Sequence, residues 1–159
     1  MVDVGDTAPD FTAPIANGDV GETFTLSERV EEEAPVVLAF YPGAFTSVCT
    51  GEMNELDSRL AAFQDAGATV YGVSVDSPFA QNEFRSQESL GFDMLSDIDK
   101  SVIDAYDVGM DFDALGINGV AKRAVFVVDE NCEVTYAWVT DDPGVEPDYD
   151  ELEEAAASA

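Results

Sequence analysis

Val36-Val37-Leu38-Ala39-Phe40-Tyr41, followed by Pro42-Gly43-Ala44-Phe45-Thr46-Ser47-Val48-Cys49, is the stretch that decides how this chain folds. An unbroken apolar run of strand length predicts a strand covered on both faces, because a strand with one wet face alternates apolar and polar residues. Beyond it, Met53, Leu56, Leu60 and Phe63 recur at spacings of three and four, and Gly67 follows as a C-cap. The spacing predicts an amphipathic helix over Thr50 to Ala66. Strand, loop and helix in that order put Cys49 at the helix start, just past the carboxyl end of the strand, where open α/β sheets bind ligands. Unpaired amide N–H groups and the positive end of the helix dipole favour a thiolate there. A nucleophile suits the position; a buried structural cysteine is the alternative that position leaves open.

Further along, Thr69 to Val75 is β-rich, and Ser77-Pro78 supplies an N-cap and a first-turn proline for a helix ending near Gly91. Phe92 to Leu95 predicts a short strand, Asp99 to Tyr106 a short helix, and Gly109 to Gly119 a loop. Ala124–Val128 and Val134–Val139 are β runs joined by Asp129-Glu130-Asn131-Cys132-Glu133, a hairpin turn, and Asp148 to Ala157 is a closing helix. Strands alternating with helices predict a mixed α/β sheet with helices on its faces. With no internal repeat and no Gly/Ser- or Pro-rich linker, residues 1–159 read as one domain.

Composition removes several chemistries. The chain has no His, which excludes Ser-His-Asp and Cys-His catalysis and histidine metal sites. Cys49 and Cys132 are too few for a Cys-rich zinc or iron–sulfur centre. With 34 acids against 6 bases, a formal charge of −28 repels nucleic acid and anionic lipid, so neither is an expected partner. Because 46% of residues are hydrophobic, the charge is read as a surface property of a folded chain. Carboxylates spread along the whole length repel one another least in concentrated salt, where the Debye length falls to about 3 Å at 1 M, and an extreme halophile is the expected source. An acidic protein from a mesophile is the alternative. No signal-type leader or membrane-length apolar run is read, and the expected location is cytoplasmic.

Charge placement singles out a second region. Val36 through Thr50 carries no charged residue, and Ala114 through Val128 carries only Lys122 and Arg123. Arg123 immediately precedes an apolar strand, so its guanidinium can reach the same end of the sheet and favour a thiolate; an ordinary strand-end cation is the competing reading. The residues three positions either side of Cys49 are Thr46 and Glu52, which excludes a Cys-x-x-Cys dithiol. Six positions after Cys49, where a protein phosphatase loop needs Arg, stands Glu55.

Pro42, Thr46 and Cys49 form Pro-x-x-x-Thr-x-x-Cys, and in this motif the chain resembles the peroxiredoxins. The resemblance extends over Val4 to Phe11, Gly72 to Ser77, Leu95-Ser96-Asp97 and Ala124 to Asp129, with Glu52 and Arg123 at matching positions. It implies a thioredoxin-like fold with an N-terminal extension, no cofactor and no metal. The implied activity is thiol-dependent reduction of hydrogen peroxide and organic hydroperoxides through a sulfenic acid at Cys49. Thr46 and Arg123 would orient the peroxide and stabilise the leaving oxygen, Pro42 would shape and shield the loop, and Glu52 would position an arginine. The implied partners are the peroxide, an external reductant (a thioredoxin-like protein or a small thiol) and further copies of the chain in a homodimer or higher homo-oligomer. A peroxide sensor or holdase using the same oxidation without sustained turnover is the rival reading.

Recycling is less clearly written. Five residues after Cys49, where some relatives carry a resolving cysteine, stands Asn54, and Cys132 occupies a turn position where relatives usually have Gly. Cys132 is therefore expected to be incidental, with a resolving role as the alternative.

Overall fold

The computed structural model describes residues 2–159. The chain opens with β1 (Thr12–Ala16), β2 (Thr23–Thr25) and α1 (Leu26–Glu33), continues through β3 (Val36–Phe40), α2 (Ser47–Ser58), α3 (Leu60–Asp65), β4 (Thr69–Ser74) and α4 (Pro78–Glu88), then β5 (Asp93–Ser96) and α5 (Ser101–Ala105). A ribbon of β6 (Gly109–Phe112) and β7 (Ile117–Ala121) follows, and β8 (Arg123–Val128), β9 (Val134–Thr140) and α6 (Tyr149–Ser158) close the chain. The main sheet runs β2-β1-β5-β4-β3-β8-β9, with β3, β4 and β5 parallel and the outer pairs antiparallel. This is the expected thioredoxin-like α/β architecture. The N-terminal extension is part of the sheet, because β1 pairs with β5 and carries β2 outward.

β3 lies in the middle of the sheet, and its five residues are all buried. Its side chains alternate as a pleat requires. Val36, Leu38 and Phe40 join Leu26, Val30, Val102, Ile103 and Tyr106 on one face. Val37, Ala39 and Tyr41 join Met53, Leu56, Phe63, Phe84 and Leu152 on the other. Helices cover both faces, so the run has no polar side. The register Phe40↔Ala124 sets the start of antiparallel β8 beside the end of β3, bringing Arg123 next to the loop that follows β3.

Two expectations are corrected. The helix expected over Thr50 to Ala66 begins at Ser47 and is divided at Arg59, whose φ of −100° and ψ of 4° leave the helical region. No Gly or Pro lies at the break; the Ser58 hydroxyl donates to the Glu55 carbonyl, and the Arg59 N–H is shared between the Glu55 and Leu56 carbonyls, which disturbs the ladder there. Gly109 to Gly119, expected to be a loop, contains β6, a 3-10 turn at Asp113–Leu115 and the start of β7. This ribbon stands apart from the main sheet and is largely exposed, so it lacks the buried alternation that marks a strand in sequence.

Candidate active site

Thr46 is the N-cap of α2, with extended φ −80° and ψ 150°, and the first helical bond runs from the Thr50 N–H to the Thr46 carbonyl. Ser47, Val48 and Cys49 thus form the opening of the helix, where backbone N–H groups have no partner within it. Cys49 is only 1% exposed and packs with Tyr41 and Met53. The Thr46 hydroxyl donates to the Gly43 carbonyl at 3.1 Å, closing the loop on itself. Phe45 sits in the left-handed region at φ 68°, an uncommon state for an aromatic residue, and its ring packs on Phe84 at 5.3 Å.

Arg123 lies beside the thiol and is itself 1% exposed. Its Nη2 donates to Cys49 Sγ at 3.3 Å and to the Pro143 carbonyl at 2.8 Å; Nη1 donates to Glu52 Oε1 at 3.1 Å, and Nε to the Pro143 carbonyl at 3.3 Å. The guanidinium is therefore gripped from α2 on one side and from the segment after β9 on the other. Glu52 is fully buried one turn after Cys49. Burial pushes its carboxyl up to about 7, outweighing the pull of Arg123. Its other oxygen, Oε2, has no hydrogen-bond partner among the described residues.

A polar brace holds the loop from below. Asp76 Oδ2 accepts from the Ala44 N–H at 2.9 Å and from the Ser74 hydroxyl at 2.7 Å, and Gln81 Nε2 donates to Ser74 Oγ at 3.0 Å. Above the thiol opens a cavity of about 530 Å³. Pro42, Thr46, Cys49 and Arg123 line it, with an apolar wall that includes Phe112, Leu115 and Ile117 from the β6–β7 ribbon. The cavity accommodates a small molecule with an apolar side, presented to one thiol flanked by one guanidinium.

Cys49, Thr46, Pro42, Glu52 and Arg123, named from sequence, thus meet at one end of the sheet. Cys132 does not join them. It lies in the β8–β9 turn and packs on the opposite face of the sheet from Cys49. Arg123 and Val128 bound β8, so the turn lies about 17 Å farther along the strand than the site, at about 3.3 Å per residue. Its φ of 58° explains why a glycine suits this turn. Burial, reinforced by Asp10, Asp129 and Glu31, pushes the Cys132 thiol up, away from a reactive thiolate. Both cysteines are free. Sequence reasoning did not assign Asp76 or Pro143 to the site. Asp76 stands in the Gly72 to Ser77 stretch that resembles the family, whereas Pro143 contributes a backbone carbonyl, which no side-chain pattern reveals.

A thioredoxin-like fold with one buried thiol on a helix start, no second cysteine beside it and an arginine against the sulfur defines a class of thiol-based redox proteins. Residues 4–137 match the AhpC/TSA family, and the chain belongs to it. It is 37% identical over 145 residues to an alkyl hydroperoxide reductase C of Helicobacter pylori, covering 86% of this chain and 70% of that one. The reduced 2-Cys peroxiredoxin of Plasmodium vivax superposes with a TM-score of 0.84 at 29% identity, covering 98% of this chain and 94% of the other. Peroxidoxin BcpB of Mycobacterium tuberculosis gives 0.85 at 26% identity, covering 99% and 98%. Among the described residues, no helix is long and apolar enough to cross a membrane.

Proposed function

We propose that this protein is a thiol-dependent peroxidase whose Cys49 attacks the peroxide. The observation that carries the reading is the 3.3 Å contact between Arg123 Nη2 and Cys49 Sγ at the opening of α2. The thiolate attacks one peroxide oxygen, the O–O bond breaks, and the other oxygen leaves with the bonding pair and takes a proton, giving water or an alcohol. Cys49 is left as a sulfenic acid. Arg123 donates to the charge that develops on the oxygens, aided by the free amides of the helix start. Thr46 orients the peroxide, and Pro42, buried in the cavity wall, shields the sulfenic acid from water. Glu52 positions Arg123 through the 3.1 Å bond.

An external thiol, from a thioredoxin-like protein or a small molecule, then condenses with the sulfenic acid, releasing water, and a second thiol equivalent restores Cys49. Cys132 is outside this cycle. A homodimer or higher homo-oligomer belongs to the same reading, supported by the exposed apolar side chains of Phe45, Phe79 and Leu115. Two free thiols suit a cytoplasmic setting. The acid excess, of which only Glu52 and Asp97 are buried among the described residues, suits concentrated salt. Hydrogen peroxide consumption with dithiothreitol or thioredoxin tests the activity: sustained turnover is expected of the native protein and none of Cys49→Ser. A single stoichiometric oxidation would instead favour a sensor, and activity in Cys49→Ser would refute the assignment.

A further inference from the structure

The four Arg123 contacts divide unequally. Glu52 holds one corner of the guanidinium, while the Pro143 carbonyl accepts from both Nε and Nη2, the same nitrogen that reaches the sulfur. A planar fork bound along one edge has its orientation fixed. The direction in which Nη2 points at Cys49 therefore depends on where the Pro143 carbonyl is held, and this in turn depends on the turn that carries it.

Thr140 and Asp142 build that turn. Asp142 Oδ1 accepts from the Gly144 N–H at 2.9 Å, spanning Pro143, and the Asp142 carbonyl accepts from the Val145 N–H at 3.1 Å. The Thr140 hydroxyl accepts from the Asp142 N–H at 3.1 Å and donates to the Asp142 carbonyl at 3.4 Å. Gly144 leaves room for this arrangement, since a Cβ there would lie 3.3 Å from Asp142 Oδ1. On the near side, Lys122 Nζ pairs with Asp141 Oδ1 at 2.7 Å, tying the turn to the residue before Arg123.

We propose that Asp142 is a positioning residue for peroxide reduction, acting through the Pro143 carbonyl to aim Arg123 at Cys49. The inference rests on the peroxidase reading and adds to it a residue that lies outside the cavity and touches neither substrate nor thiol. An exposed aspartate in a turn with a merely local structural part would affect stability and leave the chemistry of Cys49 alone.

The test is the second-order rate of Cys49 oxidation by hydrogen peroxide, followed by stopped-flow fluorescence of Trp138, in single and double variants. Asp142→Ala is expected to slow the reaction about tenfold, the lower end of what a hydrogen bond to a charged group contributes. Asp142→Asn keeps an oxygen acceptor for the Gly144 N–H and is expected to stay within about threefold of native. In the Arg123→Ala background, Asp142→Ala should change the rate by less than about twofold, because its route to the thiol is already gone. If Asp142→Ala does not fold, Thr140→Val, which removes both hydroxyl contacts with the Asp142 backbone, is judged by the same criteria. A native rate in Asp142→Ala, or losses that multiply with Arg123→Ala, would overturn the proposal while leaving the peroxidase reading intact. A native protein that does not react with peroxide would overturn that reading and this inference with it.

Discussion

Glu52→Gln makes the electrostatic cost of the site measurable. The Glu52 carboxyl is fully buried, and burial raises it from 4.5 to about 7. A carboxyl held above its unfolded value binds its proton more tightly in the folded chain, so its stabilising contribution is complete below pH 4.5 and is lost as pH rises through about 7. The interval is about two and a half pH units; at about 1.36 kcal/mol per unit the loss is about 3 kcal/mol. Glutamine is isosteric and does not titrate. The difference in unfolding free energy, native minus Glu52→Gln, should therefore fall by about 3 kcal/mol between pH 4.5 and pH 8, whatever its absolute sign. Urea unfolding at fixed salt across that range, followed by Trp138 fluorescence, measures it, and the other carboxylates cancel in the comparison. Parallel stability curves would show that Glu52 titrates normally and that the Arg123 pair compensates its burial. A difference moving the opposite way would show that the pair is a net stabiliser of the anion.

Three further outcomes follow from the site and the surface. Arg123→Ala should slow peroxide reduction by about 10²–10³-fold, as loss of one positioned oxyanion donor does, and Arg123→Lys should recover little because an ammonium cannot reach Glu52, Cys49 and Pro143 together; a native rate in Arg123→Ala would make Arg123 purely structural. Cys132→Ser should keep full turnover with an external thiol, and peroxide-treated native protein should show sulfenic or sulfinic acid at Cys49 with Cys132 free, since disulfide Cα atoms must lie within about 7 Å; a Cys49–Cys132 disulfide in the peptide map contradicts this. Thermal unfolding from dilute to molar KCl should give a midpoint that rises with salt as carboxylate repulsion is screened, and a midpoint that is constant or falls would remove the halophile reading.

By itself the sequence determined the centre of this protein. A both-faces-buried strand, a loop and a helix start are local patterns, written in an unbroken apolar run and a three-four spacing, and they suffice to place Cys49. Composition alone removed histidine chemistry, and the resemblance to the peroxiredoxin motif pointed to Thr46, Pro42 and Glu52. Arg123 was legible from its surroundings as a cation at the head of an apolar strand, and as a site residue through the resemblance; that it is buried against the sulfur follows from the antiparallel register of β3 and β8, a pairing between segments far apart in the chain. The break at Arg59 and the β6–β7 ribbon were not legible, the first because it arises from side-chain and backbone hydrogen bonds without Gly or Pro, the second because an exposed ribbon needs no buried alternation. Tertiary structure alone decided that Cys132 and Cys49 lie on opposite faces of the sheet, since separation in space is a property of topology rather than of spacing. It alone also brought the Pro143 carbonyl to Arg123, because every residue carries the same main-chain carbonyl, and only the folded chain selects which one the guanidinium meets.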